Sequence, residues 1–333
     1  MSRPICIIAE MACSHEGDPK LARTIIDGAG AACADAIQFQ IWRAADIMVP
    51  HHPDFPVLRR IELSREDWAG LFAHVRERYP AMQVIACVYE EKSADFAEEM
   101  GADAFKIHSA DLSNPGLLAH VAKKNRRVDL STGASTVDEI ALAIRAIRRA
   151  SDCPVWLMHG YQVFPTPPGG VHMDFMMKLK SLFEMPVGYQ DHSDAESPAA
   201  FHLCAAAAGM GVDAVEKHIT HDRSQKGIDH QAALNPDEFS RFTAMIRQIE
   251  AARGLAVPRA FSEDEETYRK YSKKSIVAAR DLPAGHVLAE GDLAFMRAEA
   301  LGLPPDQAGR LLGKTLARPV AALRLVGEAD LER

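Results

Sequence analysis

The sequence predicts a (β/α)8 barrel over residues 1–255, a linker over 256–272 and a small β-rich module over 273–333. Three observations predict it. From residue 5 to about 252 one unit recurs eight times: a short strand rich in Ile, Val and Phe, a polar loop, then an amphipathic helix. Apolar runs end in polar chemistry, as a parallel α/β sheet requires at the C-terminal ends of its strands. Between Pro186 and Leu234, Val187-Gly188-Tyr189 leads into Gln190-Asp191-His192, and Ala214-Val215 into Glu216-Lys217-His218. From Gly254 to Ser272 the chain becomes charged and loses periodicity at its start, as a linker does.

Strands are expected at Ile5–Cys13, Ala36–Trp42, Gln83–Tyr89, Ala104–His108, Val128–Thr132, Val155–Gly160, Val187–His192 and Ala214–Ile219. Helices fall between them, for instance Pro19–Cys33, Arg65–Tyr79, Ser93–Met100, Thr136–Ala150 and Pro236–Arg253. Thr136 with Glu139 reads as a capping box, and Asn235-Pro236 as an N-cap followed by proline at the first helical position. A doubly wound open sheet shares this alternation, but no Gly-x-Gly-x-x-Gly follows the first strand. The barrel is the better reading.

Beyond the linker, Lys274–Ala279 and Leu282–Leu288 read as strands joined around Arg280-Asp281, with a turn at Pro283-Ala284-Gly285. A strand at Leu293–Arg297, a Pro304-Pro305 turn, a short helix to Leu312 and a last strand near Ala317–Leu323 complete the module. It is small enough to need a neighbour for stability.

Composition narrows the function classes. With 47% apolar and 25% charged residues the chain is an ordinary globular protein. A net charge of -8 without a Lys/Arg stripe argues against nucleic acid, though not against a local basic pocket. The six cysteines (Cys6, Cys13, Cys33, Cys87, Cys153 and Cys204) lack Cys-x-x-Cys spacing and are expected as reduced thiols. Ile5–Ala9 is too short for a signal peptide, and Glu10 interrupts it. Ala199–Val215 is too short for a membrane span. A soluble, cytoplasmic protein with no membrane partner is expected.

The chemistry-bearing candidates cluster at strand ends. His192 and His218, on neighbouring strand ends, can ligate one metal with water or substrate completing its shell. Glu216-Lys217-His218 closes an apolar strand, where three ionisable residues are costly to bury without purpose. Lys106, ending the fourth strand beside Ser109, suits an anion or a Schiff base. Ser131-Thr132-Gly133 suits a phosphate or carboxylate, and is equally well a helix-capping turn. Glu16, in Ser14-His15-Glu16-Gly17-Asp18, is placed as an acid/base or a sugar-hydroxyl acceptor; taken alone it reads better as a solvated residue beside an Asp18 N-cap. His159–Pro167 is a cover for the mouth or only a rigid connection, and Asp229-His230 lies in a glycine-bearing loop that can fold over the same mouth. His172, His202 and His221 read as ordinary surface or packed histidines.

Taken together these motifs resemble the phosphoenolpyruvate-dependent sialic acid synthases and their nonulosonic-acid relatives. The resemblance runs from Ile8-Ala9-Glu10 and Ser14-His15-Glu16-Gly17-Asp18 through Ala104-Phe105-Lys106-Ile107, Ser131-Thr132-Gly133, Phe164-Pro165-Thr166-Pro167, Gly188-Tyr189-Gln190-Asp191-His192 and Glu216-Lys217-His218 to Asp229-His230. Lys273-Lys274-Ser275 through Arg280–Gly285 to Gly291-Asp292-Leu293 is similar to the antifreeze-like (SAF) domain of those synthases. Single motifs are weak; barrel motifs followed by this module are specific.

The resemblance implies that His192 and His218 hold a divalent metal, Mn2+ first, with Mg2+ or Co2+ as alternatives. It implies Glu16 acting on the sugar or the attacking water, Lys106, Ser109 and Ser131 holding phosphoenolpyruvate, and Glu216 and Asp229 binding and orienting the sugar. Arg297 matches the arginine that the SAF domain reaches into a partner's barrel, which implies a domain-swapped homodimer. The implied reaction joins phosphoenolpyruvate to the open-chain aldehyde of an N-acylated hexosamine.

Departures concentrate on the donor side. Where the family carries Lys-Phe-Gln the chain has Gln38-Phe39-Gln40, its Ser-Thr-Pro is Cys87-Val88-Tyr89, and its serine before Asp-His is Gln190. The family's Asn after the sixth-strand loop aligns with His172, and its Arg-Pro-Gly reads Arg297-Ala298-Glu299. A lost lysine–phosphate contact is worth about 1.5–3 kcal/mol, so either Lys106 and other basic groups compensate or the donor differs. Two further readings therefore stand beside the synthase: a metal-dependent aldolase using pyruvate, and a non-catalytic sugar-binding paralogue.

Overall fold

The computed structural model describes residues 4–332 and divides into two compact units, with the boundary between Leu255 and Ala256. In the first unit eight parallel strands close a barrel in chain order. They are β1 Cys6–Glu10, β2 Ala36–Ile41, β3 Gln83–Val88, β4 Ala104–Ile107, β5 Arg127–Ser131, β6 Val155–His159, β7 Val187–Asp191 and β8 Ala214–His218. β8 pairs β1 with Glu216 opposite Ile8, which closes the ring. The main helices are Pro19–Ala31, Arg65–Arg78, Glu91–Glu99, Pro115–Ala122, Val137–Ala150, Met173–Phe183, Ala199–Met210 and Pro236–Arg253. Both expected caps are present: Thr136 with Glu139, and Asn235 with Glu238 ahead of Pro236.

Side chains alternate across a pleated strand, and that period sorts the barrel. One set, including Ile8, Ala36, Ile85, Ala104, Trp156, Met158 and Ala214, packs together inside. The other, including Ile7, Phe39, Val84, Phe105, Leu157, Tyr189 and Val215, packs in the core shared with the helices. Gly188 belongs to the inner set: a Cβ there would lie 2.5 Å from Met158 Sδ, so the interior has no room for one. Lower in β5 the Arg127 guanidinium bonds Asp129 at 3.0 Å and lies 4.3 Å over the Trp156 ring. Two residues further along the inner faces the side chains turn polar: Glu10, Gln38, Lys106, Ser131, Gln190 and Glu216, all buried.

The second unit departs from expectation in three places. The linker contains a helix, Glu263–Ser272, started by a Ser262–Glu265 capping box and four acidic residues in its first turn, which suit the positive end of the helix dipole. Only β9 Ser275–Ala278 and β10 Leu293–Met296 form a regular, antiparallel ladder among the described residues. The strands expected at Leu282–Leu288 and Ala317–Leu323 are reduced to single bridges, Leu282 with Val320 and Val287 with Thr315. Pro283 and Pro319 lack the N–H that a ladder needs, and Gly285 turns the chain at a φ of 78°. The helix expected to reach Leu312 is a 3-10 helix, Pro305–Arg310. Ile276, Ala278, Leu282, Leu288, Leu311, Leu316, Val320 and Val326 form this unit's own core.

All six cysteines are unpaired thiols. Among the described residues no helix is long and apolar enough to cross a membrane.

Candidate active site

Glu216 and Lys106 meet inside the barrel. They stand on β8 and β4, half a turn of the barrel apart, and the Lys106 Nζ donates to both Glu216 carboxylate oxygens at 2.5 and 2.7 Å. Burial alone would lower the lysine's pKa, but the Glu216 and Glu10 carboxylates hold it above its ordinary value. Glu216 is pushed up by burial, against the pull of Lys106. Gln190 completes this group. With its amide nitrogen donating to Met158 O at 2.9 Å and Ser131 Oγ at 3.1 Å, its oxygen accepts from Lys106 Nζ at 3.2 Å.

Glu10 is the residue that sequence reading left without a role. It ends β1 on the inner face, two residues on from Ile8, and its Oε1 accepts from Ala12 N at 2.6 Å and Gln40 Nε2 at 3.2 Å. Tyr89 O–H donates in turn to Gln40 Oε1 at 3.0 Å. The other carboxylate oxygen, Oε2, is buried without a partner. Burial first, and then the Glu216 charge, raise Glu10 to a pKa of about 8, so at neutral pH it carries a proton while Glu216 holds Lys106. The signal was an acid closing an apolar run in phase with the inner face.

Several inner groups have no partner within the chain. Gln38 is fully buried, and both its amide oxygen and nitrogen are unpaired. Such orphans cost about 1–3 kcal/mol each unless a ligand meets them.

His192 follows β7 and His218 ends β8, their ring centroids 5.3 Å apart. Burial holds His192 near a pKa of about 4 and His218 well below the ordinary value, so both rings are neutral, as metal ligands must be. His192 Nδ1–H donates to Tyr161 O at 3.2 Å, which leaves Nε2 free to coordinate, and His218 Nδ1 is buried and unpaired. Phe164 lies against both rings, at 4.3 and 5.7 Å. No group of three or more His, Cys, Asp or Glu among the described residues is set to hold a metal, so this pair fits an ion whose remaining ligands are water or substrate. His159 takes another role, its Nε2 pairing with Val171 O at 2.6 Å.

The other candidates fall outside this cluster. Glu16 adopts a φ of 50° and its Oε1 accepts from Ile228 N, which ties it to the loop after β8. A Cβ on Gly227 would lie 2.7 Å from the same oxygen, so this loop needs its glycine. Asp229, on that loop, is raised by burial, and its charge is felt at Glu10. Ser109 begins a single 3-10 turn after β4, and its hydroxyl is not part of the hydrogen-bonded cluster. Arg297 is exposed just after β10 in the second unit.

A closed barrel with buried acid, ammonium and imidazole at its strand ends defines an enzyme, and comparison with known proteins defines which kind. Residues 25–257 match the NeuB family model and residues 273–332 the SAF domain model. The chain belongs to the NeuB family. It is 29% identical to N,N'-diacetyllegionaminic acid synthase of Campylobacter jejuni over 97% of this chain and 98% of that protein. It is 26% identical to human N-acetylneuraminate-9-phosphate synthase over 93% of this chain and 88% of the other. Among solved structures, sialic acid synthetase from Leptospira borgpetersenii superposes with a TM-score of 0.73 at 27% identity, covering 80% of this chain and 92% of that one.

Proposed function

We propose that the chain condenses phosphoenolpyruvate with the open-chain aldehyde of an N-acylated amino sugar, releasing phosphate and a nonulosonic acid. The observation that carries it is the buried Lys106–Glu216 pair surrounded by unpaired polar atoms of Gln38 and Glu10. The Lys106 ammonium, the Gln38 amide and the Ser131 hydroxyl supply the donors that an anionic enol ester needs. His192 and His218 would hold Mn2+ or a similar ion, which when bound supplies a Lewis acid for the aldehyde oxygen.

C3 of the enol bonds to the aldehyde carbon. The aldehyde oxygen takes the proton that Glu10 carries at neutral pH. Glu10, now a carboxylate, takes one proton from the water adding at C2; the bond from C2 to the phosphate oxygen then breaks as C2 becomes the keto carbon, and the other water proton leaves with the phosphate. Glu216 keeps Lys106 charged throughout. Asp229, whose field reaches Glu10, would bind and orient the acceptor.

The test is phosphate release with Mn2+, phosphoenolpyruvate and a panel of N-acylated hexosamines, with mass detection of products. Sugar-dependent release with a matching keto acid is expected. Consumption of pyruvate without phosphate release would instead make Gln38 and Gln190 the seat of a different donor. The proposal includes a homodimer, and light scattering that finds a monomer would remove that part.

A further inference from the structure

We infer, building on that reading, that Gln190 is a latch on the donor site, which the donor's anion must displace from Lys106 in order to bind. An ammonium carries three N–H donors, and those of Lys106 are all committed within the chain. The Glu216 carboxylate oxygens take two, at 2.5 and 2.7 Å, and the Gln190 amide oxygen takes the third at 3.2 Å. The nitrogen of the same amide donates to Ser131 Oγ at 3.1 Å and to Met158 O at 2.9 Å. One buried side chain thus occupies both Lys106 and Ser131, which the condensation needs for phosphoenolpyruvate.

For an anion to reach Lys106, one of its two partners has to yield. The Glu216 bonds join opposite charges and are the shorter, whereas the Gln190 bond joins a charge to a neutral amide and is the longest of the three. Displacing Glu216 strands a buried carboxylate without its cation; displacing Gln190 frees only an amide. Gln190 is therefore the partner that gives way. Lys106 keeps Glu216, the anion's oxygen takes the place of the amide oxygen, and the Ser131 hydroxyl is released by the same movement. The device belongs to this chain's glutamine. A serine at this position, as in the synthases it resembles, ends two bonds short of where the amide oxygen stands and leaves the third Lys106 N–H open.

The test titrates phosphoenolpyruvate, with Mn2+ and no acceptor, into the full-length parent, Gln190→Ser and Gln190→Met by calorimetry, so that Arg297 and the rest of the second unit are present in every arm. Serine shortens the side chain; methionine keeps its length and removes its hydrogen bonds. Both variants should bind phosphoenolpyruvate about tenfold more tightly than the parent, since each lacks the hydrogen bonds that the ligand otherwise has to break. A loosened barrel weakens binding, and only the loss of a competitor strengthens it. Unchanged or weaker binding by both variants, tightening by Gln190→Ser alone, or binding by none of the three overturns the inference. Phosphate release with the panel of N-acylated hexosamines, measured in parallel, keeps the two readings apart. Release by the parent with unchanged affinities leaves the condensation standing without the latch. Tighter binding by both variants with no sugar triggering release leaves the latch and removes the condensation.

Discussion

Two buried ion pairs stand one residue apart on β8, and they are not alike. Glu216 points inward to Lys106, whereas Lys217 points outward to Asp191, each pair almost wholly removed from solvent. Around Asp191 every valence is used: Tyr189 O–H donates to Oδ1 at 2.8 Å, Ser193 O–H to Oδ2 at 2.7 Å, and Lys217 also reaches Ser193 O at 3.2 Å. Around Lys106 and Glu216 lie Gln38 and Glu10 atoms with nothing to bond. A closed network holds a fold together, and an open one is organised for something that arrives. Burial and charge alone do not separate the two; satisfaction does.

That contrast is most sharply tested on the inner pair. Lys106→Met should lower kcat/KM for phosphate release by about a thousandfold or more, as loss of a preorganised charge at the reacting centre does. Its stability should change less than its turnover, because Glu216, already raised by burial, takes up a proton. A variant that unfolds without losing specific activity would reverse the assignment.

The outer pair should behave oppositely. Lys217→Met leaves Asp191 buried without its cation, at a cost of about 3–5 kcal/mol in denaturant unfolding, while phosphate release per folded molecule is kept. A large loss of turnover with intact stability would place the outer pair in the chemistry after all.

The imidazole pair extends the inner network. His192→Ala combined with His218→Ala should weaken Mn2+ binding by at least about a hundredfold in calorimetry, since even loss of an outer hydrogen bond to a ligand costs tenfold to a hundredfold. Unchanged Mn2+ affinity would separate these rings from any metal.

A pH effect is expected at Glu10. Its folded pKa of about 8 lies above the ordinary 4.5, so the folded state binds the extra proton. The stability this lends is complete below pH 4.5 and is lost as pH rises through 8, with a slope approaching about 1.4 kcal/mol per pH unit in between. Glu10→Gln should flatten urea-unfolding stability across that window and leave it higher than the parent's at pH 8. A parent whose stability does not fall over this range would show that Glu10 is ionised in the folded chain.

How much of this was legible differs by region. The eight barrel strands were readable within a residue or two at most ends, because a buried parallel strand is a short apolar run between a helix and a polar loop. The second unit was not. Pro283, Gly285 and Pro319 interrupt its pairing, and its residues meet through single bridges that no periodicity records. In the site, Lys106, Glu216, Ser131 and Gln190 were found because they close apolar runs, and the structure joins them. The partner of Glu16 was not legible, because a polar residue in a loop carries no record of which way it turns; its carboxylate accepts from Ile228 N. Glu10 was passed over as the charge that breaks an apolar run, although it shares the face of Ile8.

The sequence by itself determined the barrel, the family resemblance and which residue types close each strand, since these follow from local periodicity and from motif order along the chain. It also determined, through a period of two, that Glu216 and Lys217 must face opposite ways. Only the tertiary structure decided what each would meet. Lys106 and Glu216 are 110 residues apart in sequence and touch because ring closure carries β4 across the barrel from β8. The proton on Glu10 was decided the same way: a carboxyl group's pKa is set by burial and by the charge across the barrel, and neither exists before the chain closes.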